Sequence, residues 1–231
     1  MVVYDRIERG VRYQGLIFQS QPDLPVPVTL YLPTDKAKPG QKRPALIMIP
    51  AHHTGRNSRD LVILGANFAR AGGVAMAMES IGSGERSVAA LWAHKNHQRN
   101  LVNTQVLLAG DDLAGWTAFD ISRGVDYLLS RGDVDGDRIA IVGGVAGGGD
   151  VSALAAALDE RIDVSIPFNF CSTRPMSAWY DPLRSYYGAH AGGFAPWLVD
   201  AIIAPRRLLQ AQEFDWSASP KTAFERFSKV Y

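Results

Sequence analysis

One stretch of the 231-residue sequence could organise covalent chemistry: Ile139-Ala140-Ile141-Val142-Gly143-Gly144-Val145-Ala146-Gly147-Gly148-Gly149-Asp150. A short apolar run, readable as a buried strand, enters a crowded glycine turn and leaves it directly into a helical segment. This is the setting of a nucleophile elbow, G-x-S-x-G, whose central residue rides a strained turn and whose neighbours must be small. Gly144-Val145-Ala146-Gly147-Gly148 supplies the glycines and puts Ala146 at the nucleophile position. A methyl group neither attacks a carbonyl nor gives up a proton, so the chain as written is expected to be inactive in acyl transfer. Two rival uses of the glycines fail. No placement across residues 143–152 gives the G-x-G-x-x-G of a dinucleotide site, and a P-loop needs Lys then Ser or Thr where Asp150 and Val151 stand. A tight strand–helix junction with close backbone packing remains the plain alternative.

Other reactive groups carry weaker signals. His94 and His97 have the i, i+3 spacing of paired metal ligands but no H-E-x-x-H and no third ligand, so no metal site is expected. Asp133, Asp135 and Asp137 imitate a calcium loop, yet Arg138 and Gly144 stand where Gly and Glu are required, which makes the segment a turn before a strand. Cys171, the single cysteine, excludes an intrachain disulfide framework and reads as a structural thiol. Glu85 and Arg86 are expected to pair with each other and brace strand ends. Trp179, Tyr180, Tyr186, Tyr187 and Trp197 fit either an acyl or sugar pocket or a satellite hydrophobic cluster.

The elements that must position these residues alternate. Residues 11–18 and 26–32 read as strands joined by a turn at Gln21-Pro22-Asp23, and 33–43 as a loop. Short apolar runs at 45–49, 74–78, 139–142, 164–168 and 207–211 read as buried strands. Helices are expected over 58–71, ended by Gly72-Gly73, over 150–158 and over 221–230, with a long polar and helical region at 85–130. This alternation is that of a mostly parallel sheet covered by helices on both faces.

The order of landmarks resembles the α/β-hydrolase superfamily, in its acetyl xylan esterase-like and dienelactone hydrolase-like branch of serine esterases. The resemblance runs from about Pro44 onward and rests on the residues around the elbow: Trp116-Thr117-Ala118-Phe119-Asp120, Asp133-Val134-Asp135-Gly136-Asp137-Arg138-Ile139, the glycine turn, and Ala156-Ala157-Leu158-Asp159-Glu160-Arg161-Ile162. It implies that Ile49-Pro50-Ala51-His52-His53-Thr54-Gly55 is the loop that helps form the oxyanion hole. The N–H groups of His53 and Gly147 would be its donors, and removing such a donor costs about 3 kcal/mol of transition-state stabilisation. His52, Trp179 and Tyr180 would face the substrate. Glu79-Ser80-Ile81-Gly82-Ser83-Gly84-Glu85-Arg86 resembles a strand-end segment of the family. Glu213-Phe214-Asp215, after Ala204-Pro205-Arg206-Arg207-Leu208-Leu209, resembles the strand that presents the acid, with Asp215 orienting the catalytic histidine. The family places that histidine after the acid, whereas His52, His53, His94, His97 and His190 all precede Asp215.

The expectation is a single α/β-hydrolase domain over 1–231, with an N-terminal β region at 1–43 and without the final strand and histidine segment. The implied chemistry is hydrolysis of a small-molecule or carbohydrate ester through a serine acyl-enzyme, without cofactor or metal. A natural non-catalytic relative that binds a ligand or partner protein is the alternative, and a homo-oligomer whose second chain supplies the histidine stays open. A net charge of +1 argues against a general nucleic-acid or membrane-surface binder, and no apolar run is long enough to span a bilayer. The first residues lack a secretory signal, which fits a cytoplasmic protein or a secreted one whose signal peptide has been removed.

Overall fold

The computed structural model describes residues 1–35, 38, 40–52, 54–87, 98–170, 195–212 and 218–231, without the side chains of residues 98–101, 145, 146, 218 and 219. The chain opens with β1 (Val2–Glu8), β2 (Val11–Gln21) and β3 (Leu24–Pro33), then β4 (Arg43–Ile49), α1 (Arg59–Arg70) and β5 (Val74–Met78). After a short 3-10 turn at Gly84–Arg86 come α2 (Gln98–Leu108), α3 (Leu113–Ser130), β6 (Val134–Gly143) and α4 (Val145–Leu158). The last elements are β7 (Val164–Pro167), α5 (Pro196–Ile203), β8 (Arg207–Leu208) and α6 (Ala218–Phe227).

The described strands form one sheet in the order β1-β2-β3-β5-β4-β6-β7-β8. β1, β2, β3 and β5 pair antiparallel, whereas β5, β4, β6, β7 and β8 are mutually parallel. Successive side chains of a strand point to opposite faces, and both faces here are covered. In β4, Ala45, Ile47 and Ile49 join one core with Leu113, Ile121, Val125 and Leu128 of α3 and Val151 and Ala155 of α4. Leu46 and Met48 join the other, with Leu61, Ala66 and Ala69 of α1. Burial on both sides makes the central strands continuously apolar, as the expected class requires.

Local chemistry sets the boundaries. Asp112 caps α3 by accepting from the Gly115 N–H at 2.6 Å. α1 is followed by Gly72 at φ 93°, a left-handed backbone that glycine adopts without strain. Differences from the sequence reading are local. β1 is an additional strand whose side chains are almost all exposed. β6 begins at Val134, so Asp135 and Asp137 lie within a strand rather than a turn, because Val134 pairs with Arg43 of β4. α4 begins at Val145, ahead of the expected 150, and the strand expected at 207–211 is reduced to β8 plus a single bridge between Phe168 and Ala211. Trp197 packs with Ala223 and Phe227 between α5 and α6, which is the satellite-cluster reading of that residue.

Candidate functional site

The parallel strands all end at one edge of the sheet. The connection from β4 leads to β5 on one side, and that from β6 leads to β7 on the other. Such a reversal opens a crevice between the two departing loops, here residues 50–58 and the glycine turn. The glycine turn is seated on the end of β4, the Gly144 N–H donating to the Ile49 carbonyl at 3.0 Å.

The glycines are demanded by the space between these backbones. A Cβ on Gly148 would stand 2.6 Å from the Pro50 carbonyl oxygen, and one on Gly149 would stand 2.0 Å from that of Phe168. Gly147 has φ 89°, so the left-handed residue of this turn directly follows Ala146. Its N–H donates to Asp150 Oδ2 at 2.7 Å, a buried bond across the first turn of α4. Ala146 lies in that same first turn, at the positive end of the helix dipole.

The structure therefore brings together Ala146, Gly147 and the loop leaving β4, on which His52 is half-buried. His53, Trp179, Tyr180 and Asp215 lie outside the described residues, as do His94, His97 and Cys171. Among the described residues no three His, Cys, Asp or Glu side chains converge as metal ligands do. No described helix is long and apolar enough to cross a membrane.

Behind the β4 loop lies a charged cluster that the sequence did not announce. Arg56, buried in that loop, bonds Glu79 Oε2 at 3.1 Å and Glu85 Oε1 at 2.7 Å, with a second contact to Glu85 Oε2. The Arg56 backbone N–H also donates to Glu79 Oε1 at 3.3 Å. Burial pushes the Glu79 carboxyl above its ordinary range while Arg56 pulls the other way; the Arg56 hydrogen bond holds the more exposed Glu85 below it. Glu79 thus pins the loop leaving β4 to the end of β5. The expected Glu85–Arg86 pair is replaced: Glu85 takes Arg56, and Arg86 reaches Asp120 of α3 at 2.7 Å. Neighbours in sequence on a tight 3-10 turn point apart, leaving each free to meet a distant partner.

No family profile matches the chain. A protein of Bacillus subtilis (strain 168), YtaP, named as a hydrolase, is 38% identical over 68 residues, which is 29% of this chain and 22% of that protein. Among solved structures, Methylesterase BT1017 is 26% identical with a TM-score of 0.75, over all of this chain and 49% of its own. A Bacteroides fragilis NCTC 9343 protein named as an acetyl xylan esterase is 16% identical with a TM-score of 0.81, over all of this chain and 66% of its own. The chain thus spans less than two thirds of the length of each of these relatives.

Proposed function

We propose that this chain, which has the α/β-hydrolase fold and resembles the acetyl xylan esterase-like branch, is the scaffold of a serine-type carboxylic ester hydrolase with its nucleophile position held by Ala146. The observation that carries the reading is the β6–Ala146–α4 turn, seated against the loop leaving β4 at the point where the strand connections reverse. With a serine there, its oxygen would attack the acyl carbon, and backbone N–H groups of His53 and Gly147 would receive the developing oxyanion. His52, Trp179 and Tyr180 are assigned to the substrate side and Asp215 to orienting a histidine. The reaction needs no cofactor, and the substrate is a small-molecule or carbohydrate ester.

Ala146→Ser with p-nitrophenyl acetate, with and without added imidazole as the missing base, tests this. The expected result is an acetyl group on the peptide containing position 146, found by mass spectrometry, with release quickened by imidazole. The unsubstituted chain should stay unlabelled. No label on the variant in either condition overturns the reading.

The Gly147–Asp150 bond favours a second reading, a non-catalytic relative that binds a ligand or partner in the same crevice, because one oxyanion donor is already engaged inside the protein. Saturable ligand binding by the unsubstituted chain, unchanged by Ala146→Ser and accompanied by no acylation, would decide for it.

A further inference from the structure

On the far side of Arg56 from the Glu79 cluster, the antiparallel part of the sheet carries a cavity of about 510 Å³ lined by Tyr4, Arg6, Tyr13, Thr29, Tyr31, Asn57 and Val62. Two cross-strand rungs build it. Tyr4 faces Gly15, which faces Thr29; Arg6 faces Tyr13, which faces Tyr31. Residues two apart on a strand share a face, so both rungs project to the same side. Gly15 leaves room for the Tyr4 ring to lie across β2, since a Cβ there would stand 2.1 Å from that ring. At its far end the Tyr4 hydroxyl bonds Thr29 Oγ1 at 3.0 Å. Thr29 also receives the Arg56 Nε–H at 3.2 Å, which fixes the floor to the buried charge cluster. Tyr13 and the buried Tyr31 meet edge to face at 5.3 Å between centroids.

Arg6 is the cation of this site. Its guanidinium carbon lies 5.5 Å from the Tyr13 ring centroid and 5.9 Å from that of Tyr4. Among the described residues no carboxylate lines the cavity. The neighbouring Asp5 points to the other face and is taken by Arg12 at 2.8 Å. A guanidinium stacked on rings keeps its edge donors for a carboxylate, which it grips bidentately. The remaining described lining is phenol, amide and hydroxyl around flat aromatic faces, with the aliphatic side chain of Val62 at its side. Thr29 Oγ1 already donates to Asn57 Oδ1 at 3.3 Å and meets the Tyr4 hydroxyl, so the lining offers a ligand the Asn57 amide N–H and the Tyr13 phenol. A purely apolar ligand would make no use of these, and a bare inorganic anion would make no use of the rings.

We propose that this cavity binds a saccharide whose pyranose ring bears a carboxylate: Arg6 holds the acid, the tyrosine faces hold the ring, and Asn57 and the phenols hold its hydroxyls. The volume lies within the roughly 300–1,000 Å³ of small-molecule sites. This site is separate from the crevice at Ala146 and does not depend on ester chemistry there.

The test is calorimetric titration of the unsubstituted chain with digalacturonic acid, with a neutral disaccharide and with inorganic phosphate, and of Arg6→Gln and Arg12→Gln with the acid. The expected result is saturable binding of the acidic sugar. Binding should be weaker by roughly ten- to a hundredfold for the neutral sugar and for Arg6→Gln, the worth of a charged hydrogen-bonded pair. Arg12→Gln, on the opposite face, should match the unsubstituted chain. Amide shifts induced by the sugar should centre on Tyr4, Arg6, Tyr13 and Asn57. The proposal is overturned by the absence of saturable binding, by phosphate binding as well as the sugar, by Arg6→Gln binding undiminished, or by shifts centred on Ala51, His52, Gly147 and Gly148 in place of these.

Discussion

Arg86 Nη1 and Asp120 Oδ2 are bonded at 2.7 Å, with both side chains almost wholly withdrawn from water. The pair ties the segment after β5 to α3, across 34 residues of chain. Removing one partner of such a pair leaves the other charge buried and alone. Asp120→Ala is expected to cost about 3–5 kcal/mol in urea unfolding. Asp163→Ala breaks a pair whose Arg207 side chain is 77% exposed, and should cost less than about 1 kcal/mol. Equal losses at the two sites would contradict the difference that burial makes.

Asp200, on α5, is fully buried and accepts from Gln210 Nε2 at 2.7 Å. Among the described residues, its Oδ1 and the Gln210 Oε1 are both buried acceptors without a donor. A proton on Oδ1 supplies the donor this pair lacks, and burial pushes the Asp200 carboxyl well above its ordinary value of 3.8. The folded chain therefore keeps a proton that the unfolded chain releases. The resulting stability is fully present below the unfolded value and is lost as pH rises through the raised folded one. Asp200→Asn carries its donor at every pH. The expected outcome is a flatter stability profile between about pH 4 and 8, with equal or greater stability at neutral pH. Parallel profiles for the two proteins, from urea midpoints, would refute the protonated carboxyl.

Gly149→Ala would drive a methyl group against the Phe168 backbone, and Gly148→Ala would drive one against that of Pro50. Backbone cannot rotate away as a side chain can, so each should cost at least about 1–3 kcal/mol. Gly132 has no described atom within 4 Å of an added Cβ and no left-handed φ. Gly132→Ala should be neutral or stabilise by up to about 1 kcal/mol through the unfolded chain. Denaturant midpoints for the three variants check the ranking.

What the sequence could disclose follows from the range of each signal. Val74–Met78 was legible to the residue because five apolar side chains in a row, ended by Gly72-Gly73 before and Glu79 after, are a local pattern. The glycine turn was legible for the same reason. β1 was missed because its residues are mostly exposed and alternate poorly; pairing with β2, not burial, makes it a strand. The partners of Arg56 lie 23 and 29 residues away and are chosen by where β5 docks, so no spacing rule finds them. Arg6 and Tyr13 carry no spacing cue, and only the β1–β2 register sets them side by side. Asp150 had the one available local cue, an acid directly after the last glycine, in reach of the first turn of its own helix.

β4 has a further consequence. Leu46 and Met48 face one core while Ala45, Ile47 and Ile49 face the other, so a one-residue slip would exchange oil for oil. Polarity, which aligns half-exposed strands, is silent here. Alignment draws instead on subtraction: where Gly148 lacks a side chain, the Pro50 carbonyl can settle. The stopping point of the central strand is thus written in atoms that the sequence withholds.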